Sequence, residues 1–206
     1  MDKKVSGTAG YGEKAAALIA QYESITFEDA HQDVLHLIPA HACKVLDVGA
    51  GSGRDAAALA RKGHAVVAVE PTRELREEGQ RHHRMANIEW VDDHLPSLSA
   101  TGERGQGFHL IFLTAVWMHL DADEREKAIN VLSDLLLPRG KMFMTLRHGP
   151  VPEGRKMFAV SAEETTRLAG VVGLHRRHIS ERSDMFDRQD VSWSHLVFEK
   201  MEQDVP

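Results

Sequence analysis

Residues 45–56 read VLDVGAGSGRDA, and this segment indicates the fold more directly than any other part of the chain. An apolar run over 43–48 predicts a short buried strand, three glycines follow at alternate positions, and a helical pattern resumes over 55–61. Glycine allows tight turns and the close approach of a ligand to the main chain. A helix that begins behind such a loop presents free N–H groups and a partial positive charge. The segment therefore predicts a strand–loop–helix unit that binds a nucleotide-like ligand.

The alternation of strands and helices continues on both sides of this unit. Strands are predicted at 65–69, 88–91, 108–113, 142–146, 174–180 and 193–199, with helices over 72–83 and 121–137, a loop over 96–107 and a turn at 138–140. Such alternation is typical of a doubly wound α/β fold, in which ligands bind at the carboxyl ends of parallel strands. Residues 11–38 have helical periodicity, with a second helix predicted from Phe27 to Ile38, and they predict an N-terminal helical cap.

Composition and charge exclude several classes of protein. The chain has 206 residues, 25 Lys and Arg against 31 Asp and Glu, a formal net charge of −6, and one cysteine, Cys43. A single cysteine excludes an internal disulfide and cysteine-rich zinc sites, and we expect no metal. The acidic balance argues against nucleic acid as a partner. The start of the chain lacks the apolar run of a signal peptide, and no stretch approaches the ~18 apolar residues of a membrane helix, so we expect a cytoplasmic location and no membrane partner.

The residues around the glycines restrict the kind of nucleotide. A phosphate-binding P-loop needs Lys and Ser or Thr after the last glycine, and a dinucleotide loop needs a glycine at the position of Arg54. Asp47 would repel a pyrophosphate but attract a cation. Glu70 ends the next strand 21 positions after Gly49, close to the spacing of ~20 typical of a ribose-binding carboxylate. These features favour a nucleoside with a cationic tail, such as S-adenosylmethionine.

At this point the sequence resembles the class I, Rossmann-like S-adenosylmethionine-dependent methyltransferases. Five segments are similar to the family's motifs in the family's order: 45–56, 66–71, 88–96, 110–120 and 136–140. The last of them departs from the family pattern, because the usual lysine and first glycine of the turn are replaced. The resemblance implies a mostly parallel seven-stranded sheet whose last strand is inserted antiparallel. It also implies S-adenosylmethionine as the cofactor.

The resemblance carries over to individual positions. Those expected around the cofactor are Tyr11, Asp47, Gly49, Ala50, Gly51, Gly53, Arg54, Glu70, Pro71, Asp92, Asp93, His94 and Thr114. Asp47 would help to hold the amino group, Glu70 would take both ribose hydroxyls, and Asp93 would accept from the adenine amino group. Asp92 is the alternative to Asp93, because the two acids cannot be separated by motif spacing.

Five of these positions have an ordinary structural alternative. Arg54 either reaches the methionine carboxylate or is solvated. Tyr11 either covers the cofactor or packs in the core. Asp47 and the pair of acids at 92–93 also fit the chemistry of turns and caps.

Two histidines follow the fourth and fifth predicted strands, where the family's active site opens. His119 and His148 are the candidates for a general base, because a neutral imidazole accepts protons near pH 7. For His119 the alternative is packing in a loop. Arg147 together with His148 could receive an anionic group of the substrate.

These expectations combine into one predicted enzyme. The chain is predicted to be a single domain over 1–206, with a cap over 1–40, a cofactor-binding core over 41–146 and acceptor-pocket elements over 147–206. The expected reaction is methyl transfer to a small molecule by in-line displacement. A methyltransferase acting on a protein or nucleic acid and a non-catalytic S-adenosylmethionine-binding module remain alternatives. The sequence indicates neither the acceptor nor the oligomeric state.

Overall fold

A computed structural model describes residues 6–8 and 10–202, so residues 1–5, 9 and 203–206 of the predicted domain lie outside it. The strands are β1 (Lys44–Val48), β2 (Ala65–Val69), β3 (Ile88–Val91), β4 (Phe108–Thr114), β5 (Leu136–His148), β6 (Leu174–Ser183) and β7 (Ser192–Lys200). They form one sheet in the order β3-β2-β1-β4-β5-β7-β6. The first five strands run parallel, and β7 runs antiparallel to both of its neighbours. The predicted doubly wound, mostly parallel sheet with an inserted antiparallel strand is confirmed.

Helices connect the strands and cover the sheet. They are α1 (Ala15–Glu23), α2 (Phe27–His31), α3 (Arg54–Arg61), α4 (Arg73–His82), α5 (Ser99–Gly102), α6 (Ala122–Leu135) and α7 (Ala162–Val171). Successive strand residues point to opposite faces of the sheet, so each strand contributes to two apolar layers. Val45 packs in the same layer as α3, whereas Leu46 packs in the layer that contains α6 and α7. The run of alanines over 56–58 lets α3 lie close to the sheet.

Part of the N-terminal cap packs against the rest of the fold through small apolar contacts. Ala15 and Ile19 of α1 pack on Leu75 of α4. In α2, Phe27 is buried and its ring lies 6.1 Å from that of Phe112 in β4. These contacts hold α1 and α2 near the carboxyl ends of the central strands.

The structure corrects several predicted boundaries. The helix predicted over 27–38 ends at His31 and is followed by a separate 3-10 turn, Leu35–Leu37. The turn predicted at 138–140 is part of β5, because the chain passes from α6 straight into the strand and takes up the irregularity in a register shift. Arg139 there adopts a positive φ of 61°.

Two helices were not predicted. α5 lies inside the predicted loop over 96–107, and four residues give too little periodicity to detect. α7 had a readable signal, because Ser161 and Glu164 have the spacing of a helix-capping motif. In the structure the Ser161 hydroxyl accepts from the Glu164 backbone N–H at 3.0 Å.

Among the described residues, no helix is both long enough and apolar enough to span a membrane.

Candidate active site

A cavity of about 410 Å³ opens at the carboxyl ends of β1, β2, β4 and β5. On one side the glycine loop and the ends of β1 and β2 line it. On the other side lie parts of the segments 152–157 and 182–195, and the cap covers it with Tyr11 and Tyr22. The cavity therefore lies where a doubly wound sheet is expected to bind its ligand.

The glycine loop is held against the end of β2. The backbone N–H groups of Gly49 and Ala50 both donate to the Val69 carbonyl, at 2.8 and 2.9 Å. Gly49 has a φ of 72°, and a Cβ atom there would approach a methyl group of Val116 to 2.5 Å. Only glycine satisfies both the conformation and the space at this position.

The third glycine of the loop, Gly53, packs against Trp90. Gly53 has a φ of 85°, and a Cβ atom there would lie 2.7 Å from the Trp90 ring. Gly53 does not line the cavity, unlike Gly49, Ala50 and Gly51. The structure thus shows Gly53 in the close packing of the loop on Trp90, and its contact with the cofactor stays a prediction.

Glu70 holds the glycine loop in place through a hydrogen bond to the backbone of Gly51. Its Oε2 accepts from the Gly51 backbone N–H at 2.9 Å, and its Oε1 accepts from the Thr72 backbone N–H at 2.7 Å. The side chain is buried, and burial raises the pKa of Glu70. Each carboxylate oxygen retains capacity for another hydrogen bond, so Glu70 can accept from a pair of hydroxyls on a ligand.

Asp47 carries an unsatisfied carboxylate oxygen. The residue is only 1% exposed and lines the cavity, and its Oδ2 has no hydrogen-bond partner among the described residues. Burial and the nearby Asp55 raise the pKa of Asp47 well above its ordinary value. A buried polar atom without a partner is costly unless a ligand satisfies it, and a carboxylate is best satisfied by a cation. The site therefore fits a ligand with an ammonium group.

A second buried aspartate beside it is fully paired. Asp55 Oδ2 accepts from the Thr114 hydroxyl at 2.7 Å and lies 2.8 Å from His31 Nε2, while Oδ1 accepts from Arg54 Nε at 2.7 Å. Burial alone would raise the pKa of Asp55, but Arg54 and His31 hold it well below its ordinary value. Arg54 also donates to the Tyr22 carbonyl, so its bonds go to protein groups although it lines the cavity.

Sequence reasoning missed this network. Neither Asp55 nor His31 was among the expected site residues. The available signal was the position of Asp55 in the first turn of α3, directly after the glycine loop. A side chain there lies close to both the loop and the end of β4.

The two adjacent acids after β3 are separated by the structure. Asp93 is buried and lines the cavity, and its oxygens accept from the backbone N–H groups of His94 and Thr101 and from the Thr101 hydroxyl, at 2.8–2.9 Å. The Asp92 side chain is 67% exposed, pairs with Arg76 at 2.8 Å and lies outside the cavity. The outward orientation of Asp92 favours Asp93 as the adenine partner, and that choice stays a prediction.

His119 and Tyr11 form a pair inside the cavity. The Tyr11 hydroxyl lies 2.9 Å from His119 Nε2, and His119 Nδ1 lies 2.8 Å from the Lys156 carbonyl. A carbonyl only accepts, so Nδ1 carries the proton and Nε2 accepts from Tyr11. Burial lowers the pKa of His119 and raises that of Tyr11, so both are neutral near pH 7.

His148 lies elsewhere. It is in β5, 2.7 Å from the Ser194 hydroxyl of β7, and it does not line the cavity. The β-pleat turns it away, because its neighbour Arg147 faces the cavity. This position favours His119 over His148 as the candidate base.

The remaining cofactor candidates all border the cavity. Together with those already described, the lining positions are Tyr11, Asp47, Gly49, Ala50, Gly51, Arg54, Glu70, Pro71, Asp93, His94 and Thr114. Sequence reasoning did not identify Tyr22, Arg155 or His195, which also line it. Within the described residues, no group of three or more histidine, cysteine or acidic side chains could hold a metal ion.

Comparison with known proteins agrees with this geometry. Residues 45–140 match the family model of a methyltransferase domain. An uncharacterized methyltransferase of Oceanobacillus iheyensis is 27% identical over 133 residues, which are 63% of this chain and 58% of that protein. The chain thus matches little more than half the length of this curated relative.

Solved structures share the fold at low sequence identity. The N-methyltransferase NodS of Bradyrhizobium japonicum, in complex with S-adenosylhomocysteine, has a TM-score of 0.71 and 16% identity, with 93% of this chain and 99% of that one covered. The 1,6-didemethyltoxoflavin-N1-methyltransferase of Burkholderia thailandensis, with 1,6-didemethyltoxoflavin and S-adenosylhomocysteine bound, has a TM-score of 0.67 and 19% identity, with 98% and 94% covered. The family match gives residues 45–140 as a methyltransferase domain, and the strand order is that of the fold shared with these solved methyltransferases.

Proposed function

We propose that this protein transfers a methyl group from S-adenosylmethionine to a small-molecule acceptor held in the same cavity. The observation that carries the proposal is the unpartnered Oδ2 of Asp47, buried beside the glycine loop. A ligand with phosphates would add negative charge next to it, whereas a ligand with an ammonium and a sulfonium would satisfy it. The methyltransferase-domain match supports the same choice.

The residues present fit this cofactor along its whole length. Asp47 would hold the ammonium group, Glu70 would accept from the ribose hydroxyls, and Asp93 with the His94 backbone would face the adenine. When bound, the cofactor supplies an electrophilic methyl group and a leaving group that departs as a neutral thioether. The protein therefore needs no oxyanion hole, and its main task is to align the acceptor. Alignment of two reactants can contribute up to ~7–11 kcal/mol.

The enclosure of the cavity supports a small acceptor. Tyr11 and Tyr22 border it from the cap, and Arg155 and Met157 border it from the opposite segment. The backbone N–H of Phe158 donates to the Met118 carbonyl at 2.8 Å, which anchors that segment beside His119. The toxoflavin-precursor enzyme, similar in fold, holds a small molecule in its structure, in line with this proposal.

His119 would act as the base for acceptors that lose a proton during transfer. Its Nε2 already accepts from the Tyr11 hydroxyl, so the proton of an acceptor could pass to the phenol oxygen as the phenol proton passes to Nε2. The pair would end with a neutral Tyr11 and a protonated His119. Acceptors that are already deprotonated would need only positioning.

Calorimetry with S-adenosylmethionine, S-adenosylhomocysteine, NAD and ATP tests the cofactor assignment. We expect the two S-adenosyl compounds to bind and the two phosphate-bearing ones to bind at least a hundredfold more weakly. Asp134→Asn, on the exposed side of α6, serves as the charge-matched control for Asp47→Asn. Tight binding of NAD or ATP with no binding of S-adenosylmethionine would refute the assignment.

Turnover separates an enzyme from a binding module and a small acceptor from a large one. The protein is incubated with S-adenosylmethionine labelled at the methyl carbon and with a cell extract divided by size. We expect the label to move into the low-molecular-weight fraction. Label in protein or nucleic acid alone would contradict the small-acceptor proposal, and no transfer into any fraction would favour the non-catalytic module.

A further inference from the structure

The side of the cavity away from the glycine loop is lined by guanidinium groups. Four arginines line it there: Arg147, Arg155, Arg182 and Arg188. Two of them are already engaged. Arg188 makes two hydrogen bonds to the Asp184 carboxylate, at 2.9 and 2.6 Å, and Arg182 donates to the Asp29 carbonyl at 3.0 Å and lies 3.8 Å from Asp33.

Arg147 is buried, and no carboxylate of the described residues pairs with it. It is 9% exposed, and its one hydrogen bond among the described residues is from Nη1 to the Pro150 carbonyl, at 2.9 Å. Burial and the nearby charge of Arg188 lower the pKa of Arg147. A guanidinium carries five N–H donors, so most of its hydrogen-bonding capacity is left for a ligand.

Arg155 is the second guanidinium without an acid. Its Nη1 is buried and has no hydrogen-bond partner within the described part of the chain. The guanidinium lies flat enough to place its central carbon 3.3 Å from the centre of the Tyr11 ring. Stacking of this kind holds the plane of an arginine in place and leaves the N–H groups at its edge available.

Asp184 lies near these arginines, but its carboxylate does not neutralise Arg147 or Arg155. Both oxygens of Asp184 are used, by Arg188, by the Trp193 indole N–H at 2.9 Å and by the Phe186 backbone N–H at 2.9 Å. A buried guanidinium, Arg147, and a partly buried one, Arg155, therefore face one cavity, and neither has a carboxylate partner among the described residues. Buried charges are normally paired, so the missing partner is expected from the ligand.

We propose that the acceptor carries an anionic group, a carboxylate or a phosphate, which Arg147 and Arg155 bind together. This inference rests on the proposed function and adds the chemical class of its substrate. Arg155 stacks on Tyr11, which is bonded to His119, so the anion anchor and the expected base belong to one cluster. A planar guanidinium fork matches either anion geometrically, and the two sources must be separated by experiment.

The test uses the full chain saturated with S-adenosylhomocysteine and three fluorinated probes followed by ¹⁹F NMR. The probes are 4-fluorobenzoate, 4-fluorophenyl phosphate and the neutral 4-fluorobenzamide. We expect at least one anion to bind at least tenfold more tightly than the amide. Preference between the first two identifies the carboxylate or the phosphate as the better fit.

Variants then locate the binding. Arg147→Gln and Arg155→Gln are each expected to weaken binding of the preferred anion at least fivefold and to leave the affinity for S-adenosylhomocysteine within twofold of wild type. Arg139→Gln removes the same charge at a site whose side chain is 74% exposed, and it should change neither affinity. Arg155 is only partly buried, so its variant keeps the test valid if Arg147→Gln fails to fold.

Three outcomes would overturn the inference. Binding of both anions no tighter than that of the benzamide would remove the case for an anion, and so would anion binding that neither variant weakens. A tenfold loss of S-adenosylhomocysteine affinity in Arg155→Gln would assign that guanidinium to the cofactor carboxylate instead. If wild-type protein bound no S-adenosylhomocysteine, the proposed function itself would fail, whereas its binding without anion preference would refute this inference alone.

Discussion

The two halves of the cavity have opposite charge. Around the glycine loop lie the buried carboxylates of Asp47, Glu70 and Asp93, beside Arg54, which is paired with Asp55. The far side is lined by arginines, of which Arg147 and Arg155 have no acidic partner in the described part of the chain. In each half at least one charged group is left unsatisfied by the protein. The comparison indicates a cavity that binds two ligands of opposite character, one cationic at the loop and one anionic beyond it.

The two halves of the cavity also differ in how far apart in the chain their residues lie. The carboxylate half consists of strand ends and one short loop, so its residues lie close in the chain or one strand apart. The arginine half joins positions such as Tyr11, His119 and Arg155, which only the folded chain brings together. The predictions below test whether the two halves act separately, in order of expected effect.

The largest effect is expected at the base. His119→Gln should lower kcat at least a hundredfold for an acceptor that must lose a proton, because general bases contribute ~10²–10⁴-fold. Affinity for S-adenosylhomocysteine should stay unchanged, since His119 belongs to the acceptor half. Steady-state kinetics with the acceptor found by turnover, together with calorimetry, measure both quantities.

His148→Gln provides the control for this change. It removes a histidine of β5 that does not line the cavity, so kcat should stay within twofold of wild type. A loss in His148→Gln equal to that in His119→Gln would show that the effect is structural.

The next effect concerns the carboxylate half. Glu70→Ala should weaken S-adenosylmethionine binding at least tenfold, about 1.4 kcal/mol, because the ligand loses charge-assisted hydrogen bonds and the loop loses its anchor at Gly51. Calorimetry measures this directly. As the control, Glu77→Ala removes an exposed acid of α4 and should leave the affinity for S-adenosylmethionine unchanged. An unchanged affinity in Glu70→Ala would contradict the ribose-binding role of Glu70.

A smaller effect is expected at Asp47, where one substitution should change both S-adenosylmethionine binding and the free energy of unfolding. Its pKa is raised in the folded protein, so the folded state binds a proton more tightly than the unfolded state. The resulting penalty is absent below the unfolded pKa of 3.8 and is complete once the pH exceeds the folded pKa. Asp47→Asn should therefore stabilise the ligand-free protein at pH 7 by about 1 kcal/mol while it weakens S-adenosylmethionine binding.

Urea denaturation at pH 7 and at pH 4 measures the Asp47→Asn effect, with Asp134→Asn as the control. The gain should shrink at the lower pH. A variant less stable than wild type at pH 7 would mean that the protein itself satisfies Asp47.

The smallest effect is on the pH profile. Burial lowers the pKa of His119 from its ordinary value of 6.5, so less than half of the imidazole is protonated at that pH. We expect kcat to vary less than twofold between pH 6.5 and 8 and to fall only as the pH drops further and the imidazole is protonated. A profile that still rises steeply above pH 7 would contradict His119 as the base.

Much of the fold could be predicted from sequence because its signals are local. The apolar runs over 45–48 and 65–69 gave the central strands, and their order followed from the family resemblance. The same motifs located Asp47 and Glu70 at the cavity. Local signals failed where two neighbours differ only in direction, as with Asp92 against Asp93 and Arg147 against His148, since the pleat decides which one faces the ligand.

Other features depend on tertiary contacts that no local pattern contains. The packing role of Gly53 depends on Trp90 from another strand. The stacking of Arg155 on Tyr11 joins positions 144 residues apart (155 − 11), and nothing in either neighbourhood indicates it. The acceptor half was therefore largely invisible before the structure.

The pairing of Asp55 with His31 has a consequence for how the chain can be shortened. The imidazole comes from α2, whereas the other two partners, Arg54 and Thr114, belong to the core. Deleting α1 and α2 would remove one of the three side chains that bind the buried Asp55 carboxylate directly behind the glycine loop. The N-terminal region is thus a structural component of the nucleoside cradle, and a minimal catalytic fragment beginning at β1 should fold poorly.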